Sequence, residues 1–265
     1  MKENKSFFGK FITVHPAVIA VWAAVVAAGY LIPTFPVFGT GAHFTAANAL
    51  NPLSGIFFGP VTGALCSLIG GFIGLLIAPV KPMLGPLSCV IAMITAFTTG
   101  CIAWGKLPPV NMNENGNFVF NGGIIVYIVG TILWFTQEIG RSVIHIPVFF
   151  YGIGFAAFVL GIIFSEKFFS GKKKLLILLA IWICSFGGLI GGASVGNYFS
   201  LVFLKVPKDA WLTIILFLAP LERAVFAFAA ALVGTSLIIG LNKIGIFVGP
   251  QKANQENKQE EKNED

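Results

Sequence analysis

Charge is what this chain has least of: only 11% of its 265 residues are Asp, Glu, Lys or Arg, against roughly 25% in an ordinary soluble domain. So sparse a set cannot cover a water-facing surface, and a soluble globular fold is excluded. Cysteine is limited to four residues, Cys66, Cys89, Cys101 and Cys184. All fall in apolar runs and no two stand at CxxC spacing, so they read as small buried hydrophobes rather than a zinc or redox site. No HExxH, no Asp-rich metal motif and no GxxxxGK[ST] phosphate loop occurs, so the chain holds no recognisable metal or cofactor and does not hydrolyse ATP by itself. Residues Gly192 to Gly196 match GxSxG, but a nucleophile elbow needs a strand before it and a His after it, and His15, His43 and His145 all come earlier. The expectation is that this is not an enzyme. A repeat of fixed period is also missing, which argues against an inverted-repeat transporter.

What is present is apolar: 56% hydrophobic residues with 27 Phe and 31 Gly, and a mean hydropathy of +0.87. Gly is common in membrane helices because small residues let backbones approach, whereas the polar–apolar alternation of an outer-membrane barrel does not occur. Four of the charges crowd into residues 1–10 and eight into 250–265, which assigns the middle to lipid. At about 20 apolar residues per crossing, segments fall near 14–32, 44–58, 60–78, 83–104, 122–140, 146–166, 175–201 and 220–241. The 44–58 segment is short and 210–218 is extra, which leaves each open to a re-entrant or interfacial reading as well as a full crossing. The expected fold is therefore all-α, a polytopic bundle of about six to eight transmembrane helices over 14–249. Residues 1–13 form a cytoplasmic N-terminus, and 250–265, nearly without apolar residues, a disordered cytoplasmic tail.

Lys2, Lys5 and Lys10 precede the first apolar run as in a signal peptide, but no persuasive cleavage site follows, so the run reads as a retained span. With the N-terminus inside, Lys106, Lys167, Lys172 to Lys174, Lys243 and the tail lysines are also cytoplasmic, and only Lys81, Arg141, Lys205 and Lys208 lie outside. That bias supports both termini in the cytoplasm of a cell-membrane protein. The basic residues sit in short inter-span clusters, so topology rather than nucleic acid explains the net charge of +6.

Small residues form three flat faces. Gly59, Gly63, Gly70 and Gly74 share a side of the third span, with Ser67 close by; Gly188, Gly192 and Gly196 do so in the seventh; Ala20, Ala24 and Ala28 recur every four residues in the first, near Ala17 and Ala27. Such faces pack a bundle internally or dock another membrane subunit, and the Ala stripe on the terminal helix suits both.

Ionisable groups in spans are costly, about 2.5–3.5 kcal/mol at a helix centre, and so mark candidate sites. Glu138, Arg141 and His145, at i, i+3 and i+7, share a face with Trp134 on a continuous helix, or sit in a loop if the chain turns at Gly140. Glu222 and Arg223 follow Pro220 in a first helical turn, where a carboxylate suits the helix dipole. Adjacent on the helix, they point about 100° apart, so each is expected to find a partner elsewhere, with Glu138 or Arg141 the obvious one. Residues 33–52 read as a lid: His43, Asn48 and Asn51 supply donors and acceptors, and Phe35, Phe38 and Phe44 flat surfaces. Asn197 and Tyr198 add a polar pair.

The Ala stripe, the long loop after it, ANALNPLSGIFFGPVTGALCSLIGGFIGLL at 46–76 and PLERAVFAFAAALVGTSLIIGL at 220–241 together resemble the substrate-binding S subunits of energy-coupling-factor vitamin transporters. The resemblance covers about the first 105 and last 25 residues and implies a small helical protein that captures a vitamin-like nutrient at the outer face. It also implies partners: a transmembrane coupling subunit docked on Ala20, Ala24 and Ala28, and two ATP-binding-cassette ATPases. The family usually has six spans in a shorter chain, so residues 105–205 depart from its pattern. Two other readings stand beside it. One is a self-sufficient secondary transporter or channel using Glu138 or Glu222; the other is a membrane scaffold that holds no small molecule.

Overall fold

The computed structural model describes residues 15–36, 43–78, 82, 84–105, 110–112, 118–142, 145–169, 173–204, 218–246 and 248–250. In chain order these form α1 (Pro16–Tyr30), β1 (Pro33–Pro36), β2 (His43–Thr45), α2 (Ala47–Phe58), α3 (Pro60–Ile77) and α4 (Leu87–Ala103). There follow β3 (Val110–Met112), β4 (Phe118–Phe120), α5 (Gly122–Thr136), α6 (Glu138–Ser142), α7 (His145–Phe169), α8 (Lys174–Leu204) and α9 (Ala219–Lys243). The protein is an all-α membrane protein, and each apolar segment expected from the sequence is a helix. Two antiparallel β-hairpins, β1–β2 and β3–β4, are the strands among the described residues. Among the described residues, four helices are long and apolar enough to cross a bilayer: α3, most of α7, α8 and α9. Helices α1, α4 and α5 are apolar but shorter.

Helix α2 agrees with the shortness of the 44–58 segment. Its 12 residues rise about 18 Å, well short of a hydrocarbon core of about 30 Å. All but Asn48 and Leu50 are buried, and the helix packs against α1, α3, α4, α8 and α9. At its end Gly59 has φ +83°, a left-handed conformation open to glycine, and the chain turns directly into Pro60 at the start of α3. The two helices fold back so closely that a Cβ on Gly63 would meet the Ser54 carbonyl and the Gly55 backbone.

The glycine faces are spent inside the bundle. Gly70 lies on the Ala23 carbonyl and Val26 of α1, and Gly74 on the Tyr30 ring. In α8, Gly188 faces Thr99, Gly192 faces Thr95 and Gly196 faces Ile91, so α8 packs along α4. Lipid gives no hydrophobic drive for helices to associate, so this close backbone contact supplies the dispersion that holds them. Hydrogen bonds pin it: Trp22 Nε1 donates to Ser54 Oγ at 2.8 Å, Ser67 Oγ to Ser54 Oγ at 3.0 Å, and Tyr127 OH to the Gly187 carbonyl at 2.6 Å. Trp182 Nε1 donates to the Ala224 carbonyl at 3.3 Å, tying α8 to α9. At the α2–α3 turn, Trp104 Nε1 bonds the Ile56 carbonyl at 2.9 Å and Gly249 N the Phe57 carbonyl at 3.2 Å. All four cysteines are free and buried, as their apolar settings imply.

The α1 stripe behaves differently. Ala20, Ala24 and Ala28 are exposed, as is Ala17, while Ala23, Val26, Ala27, Gly29 and Tyr30 face the bundle. Ala27 therefore leaves the stripe. The expected segments at 1–13 and 210–217, and the tail beyond Pro250, lie outside the described residues, as does most of the polar turn at 111–117.

Candidate functional site

One group of charged and aromatic side chains gathers where the β1–β2 hairpin meets α9. The hairpin is short and irregular, with Pro33 opposite Thr45 and Pro36 opposite His43. The amide of Ala46 extends it by bonding the Ile32 carbonyl at 3.0 Å. Pro33 and Pro36 remove two ladder donors from β1, and Phe44 on β2 packs against the bundle. Helix α9 starts at Ala219 with Pro220 in its first turn, so Glu222 comes early on the helix, near the positive end of its dipole.

Glu222 and Arg223 pair with each other. Arg223 Nη1 lies 3.3 Å from Glu222 Oε2, and the two side chains are only 16% and 11% exposed. This corrects the expectation that neighbours on a helix would need separate partners. The 100° between them is bridged by the length and bend of the arginine, which also lays its guanidinium 5.4 Å from the centroid of the Phe44 ring. Phe44 in turn meets Phe226 edge-on at 6.0 Å. The second carboxylate oxygen, Glu222 Oε1, is buried and has no hydrogen-bond partner. A buried acceptor left unpaired costs free energy, so the site is poised to accept a donor.

The remaining candidates lie elsewhere or apart. His43 precedes Phe44 on the strand, and alternation sends its ring to the other face of the hairpin; its Nδ1 is buried and unpartnered. Asn48 and Asn51 belong to α2 rather than to a loop. Asn51 is buried, its Oδ1 has no hydrogen-bond partner, and the Tyr30 hydroxyl is its polar neighbour. Asn197 Nδ2 donates to Tyr151 OH at 3.3 Å and so ties α8 to α7.

Glu138, Arg141 and His145 do not share a continuous face with Trp134. Gln137 is extended, with ψ 141°, which breaks the helix between Trp134 and Glu138. The chain then forms the single turn α6 before α7 begins at His145, whose side chain lies outside the described residues. Trp134 is buried while Glu138 and Arg141 are exposed. Arg141 donates to the Thr136 carbonyl at 3.4 Å. Neither residue bonds Glu222 or Arg223: α6 follows α5, which packs on α8, and α9 packs on α8 and α2.

Phe226 was absent from the sequence reading, although its spacing of i+4 from Glu222 and i+3 from Arg223 places it on their side of α9. A groove of about 380 Å³ between α5 and α7 is lined by Tyr127, Ile128, Phe135, Gly152 and Phe155 among others. Its one side-chain hydroxyl on α5 besides Tyr127, that of Thr131, is committed to the Tyr127 carbonyl at 2.7 Å. Its described lining is otherwise apolar apart from the Tyr151 hydroxyl, which accepts from Asn197. No protein-family model, curated protein or solved structure matches this chain.

Proposed function

We propose that the protein is the membrane-embedded substrate-binding subunit of an energy-coupling-factor importer, taking a small ring-containing nutrient at the hairpin end of the bundle. The observation that carries this reading is the exposure of Ala20, Ala24 and Ala28. The glycine faces of α3 and α8 are consumed by internal packing, whereas the α1 alanines stay exposed, next to Val21 and Val25, on a side where another membrane helix can pack. The site at Glu222, Arg223, Phe44 and Phe226 supplies what a substrate subunit needs besides a docking face: a few polar groups set among apolar ones. The missing ATP motif fits, because the partners would supply hydrolysis. On this reading the cell membrane is the location, with both termini cytoplasmic and the hairpin end outside.

The test is uptake by the purified chain in liposomes. The importer reading expects no accumulation of labelled nutrient under a proton or sodium gradient, and accumulation only when coupling subunit, ATPases and ATP are added. Gradient-driven uptake by this chain alone would replace it with the secondary-transporter reading, for which the buried Glu222 would be the ion site.

A further inference from the structure

We infer that the group at the head of α9 recognises a flat ring bearing a cationic N–H donor, and not a carboxylate. The inference rests on the substrate-binding reading above and names the ligand class of that same site. Its basis is which valences are already taken. Arg223 is engaged twice, by Glu222 Oε2 at 3.3 Å and by the Phe44 ring. The charges of the pair cancel, so the site presents no excess positive charge to draw an anion. The group left over is an acceptor: Glu222 Oε1, buried and without a partner. An acceptor in apolar surroundings selects a donor, and hydrogen bonds to a charged group are about twice as strong as neutral ones. Phe44, partly exposed and edge to face with the buried Phe226 at 6.0 Å, gives the group its aromatic surface, which favours a ring over an acyclic amine.

Benzamidine and benzoate test the assignment directly, because they share shape and differ in carrying an amidinium or a carboxylate; ethanolamine serves as a donor without a ring. Binding to the full-length protein in detergent or nanodiscs is read as a concentration-dependent rise in melting temperature, since a ligand that prefers the native state stabilises it. Benzamidine is expected to raise the transition, and benzoate and ethanolamine to leave it unchanged. In Glu222→Gln, which keeps the shape of the side chain, benzamidine affinity should fall about tenfold or more, while Arg141→Ala should bind as the wild type does. Stabilisation by benzoate in place of benzamidine would overturn the assignment and make Arg223 an anion receptor. Equal stabilisation by ethanolamine would overturn the ring, and no response to benzamidine would overturn the class. The comparison of probes on the wild-type protein stands whether or not the variant folds. Recovery of importer partners without benzamidine binding would sink this inference alone. Benzamidine binding by a chain that transports unaided would sink the importer reading alone.

Discussion

At the scale of single residues, this bundle is built on positions where no side chain fits. A Cβ on Gly55 would run into the Ala96 carbonyl and the Gly100 amide, both backbone groups that cannot rotate away. At Gly240 a Cβ would meet nothing within 4 Å. Gly55→Ala should therefore destabilise the protein by about 1–3 kcal/mol through overpacking, and Gly240→Ala should be neutral or stabilising by up to about 1 kcal/mol through helix propensity. Thermal unfolding of the two variants in the same detergent checks both signs, and equal effects would contradict the packing described for α2 and α4. The same scale shows what the sequence hides. Glu222 and Arg223 stand out in the sequence by their rarity in an apolar segment, but their mutual pairing depends on how Arg223 bends over Phe44, a residue far away in the chain. Spacing along one helix cannot supply that contact.

At the scale of elements, hydropathy places every helix but does not say what each is for. The segment at 46–58 is apolar enough to resemble a crossing, yet α2 is a short inner helix whose faces are all covered by neighbours. The 134–145 segment fits one amphipathic face by spacing alone. The extended residue Gln137, which the helical period does not reveal, divides it and separates Glu138 and Arg141 from Trp134. Small-residue stripes occur in the sequence of α1, α3 and α8 alike, and tertiary packing distinguishes the exposed one from the buried two. That distinction gives a prediction for α1. Ala24→Trp should leave the melting temperature of the isolated chain close to that of the wild type, because the site is exposed, while blocking recovery of partner subunits. A variant that still recovers them would show that the stripe is not the docking face.

At the scale of the whole molecule, the alternation of helices sets the start of α8 and the end of α9 at one end of the bundle and α6 at the other. Lys174, Lys243 and Glu138 are all exposed, and the four native cysteines are buried, so single introduced cysteines can be labelled against little background. In intact cells an impermeant maleimide should label Glu138→Cys and reach Lys174→Cys and Lys243→Cys only after permeabilisation. The reverse pattern would invert the proposed topology and put the Glu222 site on the cytoplasmic side.

The central claim, that this chain is the substrate-binding part of a larger importer, is tested most directly by purifying a tagged copy from its native membrane in mild detergent and identifying the chains that accompany it. A transmembrane coupling protein together with ATP-binding-cassette ATPases is the expected recovery. Reproducible recovery of the chain alone, under conditions that keep known membrane complexes intact, would contradict it.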